Sequence, residues 1–126
     1  MANKLTRQEM FDKVAGHLLR QGRKALARIH PFYSCAYRTP DGLSCAAGCL
    51  LDDAQYAQVV EGAGIQRPRN VRVFREIVED LTLLSLLQHI HDSYDQVYWP
   101  RELGRLAFQH KLSPVVLHAH AHAWPT

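Results

Sequence analysis

No apolar run in this 126-residue sequence reaches the roughly 18 residues a bilayer-spanning helix needs, so a membrane-embedded chain is excluded by the expected pattern. No secretory leader is expected either, because residues 1–10 are polar and a charged helical pattern comes next. Cysteine is scarce and odd in number. Cys35, Cys45 and Cys49 argue for reduced thiols and against a disulfide framework. There is no P-loop, no G-x-G-x-x-G, no G-x-S-x-G and no H-E-x-x-H, and there is no internal repeat. These absences remove the readable signatures of nucleotide hydrolysis, dinucleotide binding, serine hydrolysis and zinc proteolysis. Nor is there a large excess of one charge: the net value of +3 does not announce a nucleic-acid binder.

The residues present belong to one globular domain. Apolar residues make up 47% and charged residues 21%, too apolar for a disordered tail. The charge is unevenly placed. Residues 1–30 carry seven Lys/Arg against Glu9 and Asp12, a local +5 that leaves −2 for the rest. That polarity suits an acidic partner. Eight histidines add charge below about pH 6.

Thr6-Arg7-Gln8-Glu9 is a capping box, with Leu5 and Met10 placed as a hydrophobic staple. From Phe11 to Ile29 apolar residues recur at helical spacing, and Pro31 stops the pattern near His30. Lys13, His17, Arg20, Arg23, Lys24 and Arg28 then fall on the opposite side of that predicted helix. Aromatic residues after Pro31 and the Pro40-Asp41-Gly42 turn predict a β-hairpin over about 32–46, bringing Cys35 close to Cys45. Asp52 or Asp53 caps a short helix running to Glu61-Gly62, and Asn70 caps the next. A phase change near Asp80-Leu81-Thr82 breaks the stretch from Val71 to Tyr94 into two helices. Trp99-Pro100 opens the last long one. The expected fold is mainly α (α+β), a bundle of four to five helices with one small hairpin. It spans residues 1–112, and 113–126 form a His-rich tail or short helix.

The candidate binding residues are Arg20, Arg23, Lys24 and Arg28 on the basic face, and Tyr37 with Arg38 beside the turn. Tyr and Arg are the usual interface anchors. Arg67, Arg69, Arg72 and Arg75 form a second basic cluster. Metal candidates are Cys35, Cys45, Cys49, His91 and Asp92. The cysteine spacing lacks the C-x2-C knuckle of zinc sites, so the expectation is no cofactor, with zinc the alternative. A helical His91-Asp92 pair also suits metal-assisted hydrolysis, but the further ligands it needs, such as His17 and His30, have no fixed position. The competing expectation has His91 pairing with Asp95 one turn on. His118, His120 and His122 alternate, which suits adventitious metal binding.

Cys35-x-Tyr37-Arg38, Gly42, Cys45-x-x-Gly48-x-Leu50-Leu51, Tyr56, Glu61-Gly62, Leu87-Gln88-x-Ile90-His91-Asp92, and Trp99 with Leu103 form a longer pattern. It resembles a group of small phage and prophage proteins, over roughly residues 8–111. The resemblance implies expression in a bacterial cytoplasm and carries over no catalytic residue. The expected function is therefore an accessory protein that binds and inhibits a host protein complex with an acidic surface. Defence machinery is the natural target class, and anti-CRISPR inhibition is one form of it. Enzymatic activity is the weaker reading. The alternatives are a binder or hydrolase of a phosphorylated small molecule or nucleotide signal, with Arg38 as phosphate ligand, and a nucleic-acid-binding protein.

Overall fold

Thr6 starts the chain's first helix by the reciprocal bonds its sequence predicts. Its hydroxyl accepts from the Glu9 amide at 3.1 Å, and the Glu9 carboxylate accepts from the Thr6 amide at 2.9 Å. The computed structural model describes residues 3–29 and 32–120, and for residues 28–34 the backbone of the two strands only. Helix α1 (Arg7–Gln21) buries Met10, Phe11, Val14, Ala15, Leu18 and Leu19. It does not reach Ile29. Gly22 adopts the left-handed conformation (φ 70°) and its amide bonds back to the Leu18 carbonyl, which ends the helix.

Strand β1 (Leu26–Ile29) comes next, paired antiparallel with β2 (Phe32–Cys35), Leu26 opposite Cys35. The hairpin therefore lies one segment earlier than residues 32–46. Leu26 continues the helical spacing only by coincidence, and it is 42% exposed. The expected Pro-Asp-Gly turn does form, with the Gly42 amide bonding to Thr39, but it closes a single bridge between Arg38 and Ser44. Its register sets Cys45 against Tyr37 rather than Cys35.

Asp52 caps a single turn, α2 (Asp53–Tyr56), far shorter than the predicted run to Glu61. Helix α3 (Pro68–Arg75) starts at proline rather than after Asn70, whose side chain is buried within it. The predicted break separates α3 from α4 (Leu81–Ser93), capped by Asp80 on the Leu83 amide. Helix α5 (Trp99–Gln109) opens at Trp99-Pro100 as expected, and the single turn α6 (Val115–Ala119) lies after Pro114.

The fold is mainly α: the described residues form four helices of eight residues or more, two single α-turns, two 3-10 turns (Gly48–Leu50 and Gln96–Tyr98) and the two-stranded sheet. Helix α1 packs against α4, α5 and α6. The core gathers Phe11, Phe74, Leu84, Leu87, Trp99 and Leu103, all fully buried. Each such side chain stabilises the fold by about 1.5–3 kcal/mol relative to exposure. The Arg7–Asp80 pair at 3.0 Å ties the starts of α1 and α4 together. No helix among the described residues is long and apolar enough to cross a membrane.

Candidate functional site

The last turn of α4 carries His91 and Asp92, part of the one cluster of three ligand-type side chains found among the described residues. His91 is fully buried, and its ring stacks on Trp99 with centroids 5.5 Å apart. Its Nε2 accepts the backbone N–H of Ala25 at 3.0 Å. An acceptor nitrogen bears no proton, so Nδ1 bears it and donates to Asp92 Oδ1 at 2.8 Å. The same oxygen accepts from Gln88 Nε2 at 2.7 Å. His91 thus pairs with its sequence neighbour and not with Asp95.

Cys35 completes the cluster: its sulfur, His91 and Asp92 offer ligand atoms within 4.8 Å of one another. Burial pushes the Cys35 thiol up to about 11, the Asp92 charge and hydrogen bond add to the shift, and nearby Lys24 opposes it. For Asp92 burial opposes ionisation, but hydrogen bonds from His91, Cys35 and Gln88 outweigh it and hold the carboxyl below its ordinary range. The pair at neutral pH is a thiol beside a carboxylate, which is the wrong protonation state for a cysteine nucleophile.

Glu61 forms a second clamp. One oxygen accepts from the Tyr37 amide at 3.0 Å; the other accepts from the Arg38 amide at 3.1 Å and the Tyr56 hydroxyl at 2.7 Å. Arg38 is committed as well. Its guanidinium bonds Asp53 at 2.7 Å and the Leu51 carbonyl at 2.9 Å, and lies over the Tyr56 ring. Tyr37 is buried. Its hydroxyl donates to the Ala63 carbonyl at 2.9 Å and accepts from Asn70 at 3.2 Å. Gln88 accepts the Ala47 amide at 2.9 Å, so one side chain links the 45–48 loop to Asp92. Between these clamps lies a cavity of about 210 Å³, lined by Cys35, Tyr37, Cys45, Glu61, Gln88 and Asp92 among others.

The structure brings Cys35, His91 and Asp92 together and Cys45 to the same cavity. It does not bring Cys49, whose thiol donates to the Ala46 carbonyl at 3.1 Å on the side of Lys13 and Arg20. Both nitrogens of His91 are already used, so the cluster presents only the Cys35 sulfur and a carboxylate oxygen to a cation. A structural zinc needs four closed ligands, and this donor set falls short of that.

The predicted basic face is not one helix face. Arg20 sits in the last turn of α1 and is exposed. Arg23 lies beyond Gly22, also exposed, near Asp41. The Lys24 ammonium donates to the Asp92 carbonyl at 3.2 Å. Arg28 is on β1, and its side chain lies outside the described residues, as do His30 and His122. His17 turns inward and bonds Ser44 at 2.9 Å and 3.1 Å. The second basic cluster is better ordered. Arg69, Arg72 and Arg75 are exposed on the arc of α3 opposite buried Asn70, Val73 and Phe74. None of Arg67, Arg69, Arg72 and Arg75 has a carboxylate within 4.0 Å among the described residues.

Sequence reasoning missed the Ala25 amide as the partner of His91, because a backbone donor leaves no side-chain pattern. It gave no role in the site to Glu61 or Gln88 and read Asn70 only as a helix cap, because polar residues are ordinary in turn and helix segments; Asn70 instead bonds the Val60 amide and the Tyr37 hydroxyl from inside α3. No protein-family model, curated protein or solved structure matches this chain.

Proposed function

We propose that this is an interaction protein that occupies an acidic surface of a host protein complex and inhibits it. One observation carries the reading: exposed arginines stand without acidic partners on α3, while the groups able to do chemistry are bound to one another. Arg72 and Arg75 on α3, with Lys13 in the middle of α1 and Arg20 and Arg23 around its end, supply exposed positive charge that makes no ion pair within 4.0 Å among the described residues. Such charge steers and orients an acidic partner. The resemblance to phage proteins makes bacterial defence machinery the target class and anti-CRISPR inhibition its specific form, acting in the bacterial cytoplasm.

The test is affinity capture from bacterial lysate with the natural chain and two charge-reversed variants, Arg72→Glu/Arg75→Glu and Arg20→Glu/Arg23→Glu. The expected result is one stoichiometric complex that weakens steeply with salt and is lost from at least one variant. An empty capture, or one that neither variant alters, overturns the reading.

A second reading is favoured by one feature. Arg69 and Arg72 line a cavity of about 390 Å³ with Gln58, Val73 and Glu76, which suits a phosphorylated small molecule or nucleotide. At that site Arg69 gives its Nε to the Gln58 carbonyl at 2.7 Å and Arg72 is the uncommitted cation, whereas the Arg38 guanidinium is already held by Asp53 and Leu51. A nucleotide that binds the folded state raises the melting temperature. A flat response at saturating concentrations removes this reading. A nucleic-acid partner would reveal itself by a log–log salt slope that falls when Arg72 and Arg75 are reversed.

A further inference from the structure

Helix α5 buries Trp99, Leu103, Leu106 and Ala107 on its inner side. Tyr98, Arg101, Arg105 and Phe108 succeed one another at intervals of three and four residues, so they run along one outer stripe. Tyr98 is 46% exposed and Phe108 86%. Of the five large apolar side chains exposed among the described residues, three lie on α5 or in the turn that leads into it: Val97, Tyr98 and Phe108. Single exposed apolar residues are ordinary, but an aligned group of them is not. The Arg101 guanidinium lies 4.9 Å from the Tyr98 ring centroid, and Arg101 and Arg105 share the carboxylate of buried Glu102 at 3.1 Å and 3.8 Å. Two aromatics flanking two arginines is the composition of interface hot spots.

The stripe also has a shape and a sign. Ten residues separate Tyr98 from Phe108, about 15 Å along a helix axis and close to three turns of a partner helix. Beside it runs a shallow groove between α4 and α5, about 110 Å³, lined by Leu86, Ile90, Tyr94, Arg105, Leu106 and Gln109 among others. One buried carboxylate leaves the two arginines with surplus positive charge, and exposed Lys111 adds to it. A second copy docked antiparallel across a two-fold axis would set Arg101 of one chain against Arg105 of the other. Like charges opposed across an interface disfavour that pairing.

We infer that the outer face of α5 docks an acidic amphipathic helix of a partner protein. Its apolar side chains pack on Tyr98 and Phe108 and enter the α4–α5 groove, and its carboxylates meet Arg101 and Arg105. The inference rests on the interaction reading and adds a second contact surface, on α5, to the basic residues of α3 and α1.

The test places a photo-crosslinking benzoylphenylalanine at position 98, 108 or, as a control on α3, 72 in the full chain. Each protein is irradiated in bacterial lysate and the linked residues are mapped by mass spectrometry. Adducts from 98 and 108 that converge on one acidic helical segment are expected, with yield falling at least tenfold when Arg101→Gln/Arg105→Gln is added. Phe108→Ala, at a site too exposed to affect folding, should weaken capture of the same protein to a similar degree. Adducts from 72 alone leave the interaction reading standing and overturn the α5 surface. Adducts to a second copy, or to a segment without acidic residues, also overturn it. No adduct from any position, with no protein captured, overturns both.

Discussion

His91 Nε2 accepts the amide proton of Ala25 at 3.0 Å, joining positions 66 residues apart in the chain. The bond fastens the end of α4 to the link between α1 and β1, just where α1 has stopped at Gly22. It also fixes the tautomer that lets Nδ1 hold Asp92, and through Asp92 the side chains of Gln88 and Cys35. One buried imidazole therefore orients most of the candidate site.

Replacing His91 tests that role. His91→Ala leaves the Ala25 amide unsatisfied in the interior and opens space beneath Trp99. Each effect costs on the order of 1–3 kcal/mol, so a total of about 2–6 kcal/mol is expected in urea unfolding. His91→Asn still offers an acceptor and should recover part of it. Equal losses in the two variants would mean that packing against Trp99, and not the Ala25 bond, carries the effect.

Gly48 makes a second sharp prediction. A Cβ there would lie 2.0 Å from the Tyr37 carbonyl oxygen, a backbone atom with no freedom to give way. The close approach lets the 45–48 loop lie against the strand that leads to Arg38. Gly48→Ala must displace one of these segments, at a cost of roughly 1–3 kcal/mol or more. It should also loosen the Ala47–Gln88 bond. Thermal unfolding at unchanged stability would show that the segment yields more easily than its packing suggests.

The parts of this fold that are legible in sequence are those written in a few adjacent residues. Thr6 with Glu9, Pro40-Asp41-Gly42, the break before Leu81 and Trp99-Pro100 each encode a local geometry, and each forms. The end of α1 is misread because Ala25, Leu26 and Ile29 continue the helical spacing while belonging to a link and a strand. Gly22 is the signal, and one glycine in a periodic run is weak evidence. At the site, His91, Asp92 and Cys35 are visible as residue types. Their convergence depends on an amide contact across 66 residues and on a hairpin register, and neither is a property of any short window. Arg38 looks like a free ligand in sequence because Asp53 and Leu51, which hold it, are brought near only by the 45–51 loop.

Acid should destabilise the fold through His17. Burial lowers its pKa from 6.5, nearby Arg20 adds to this, and the Ser44 carbonyl opposes it. The unfolded chain therefore takes up the proton first as pH falls. The stability His17 contributes is present above about pH 6.5 and is lost as pH drops through its lower folded value. His17→Gln keeps a hydrogen-bonding group and removes the titration. Melting temperatures of the two proteins should differ in slope below pH 6.5 and run parallel above it. Parallel slopes throughout would exclude His17 as a source of acid sensitivity.

The thiols supply the last prediction, because Asp92 acts on Cys35 in a direction opposite to activation. With the Cys35 thiol pushed up to about 11, Cys49 up to about 12 and Cys45 higher still, alkylation by iodoacetamide should be slow at pH 8 and should quicken at Cys35 as pH rises towards 11. Asp92→Asn removes the negative charge that raises the Cys35 value. The thiolate fraction at pH 8 must then grow, and site-resolved mass spectrometry should show faster labelling of Cys35 in the variant. Cys45, only 1% exposed, should label at the global unfolding rate in both proteins. A Cys35 that labels fast at pH 8 in the natural chain, and slows in Asp92→Asn, would mean that the carboxylate draws the thiol proton instead of blocking its loss. The cluster would then be a nucleophile with its base, and the case for binding over catalysis would fall with that result.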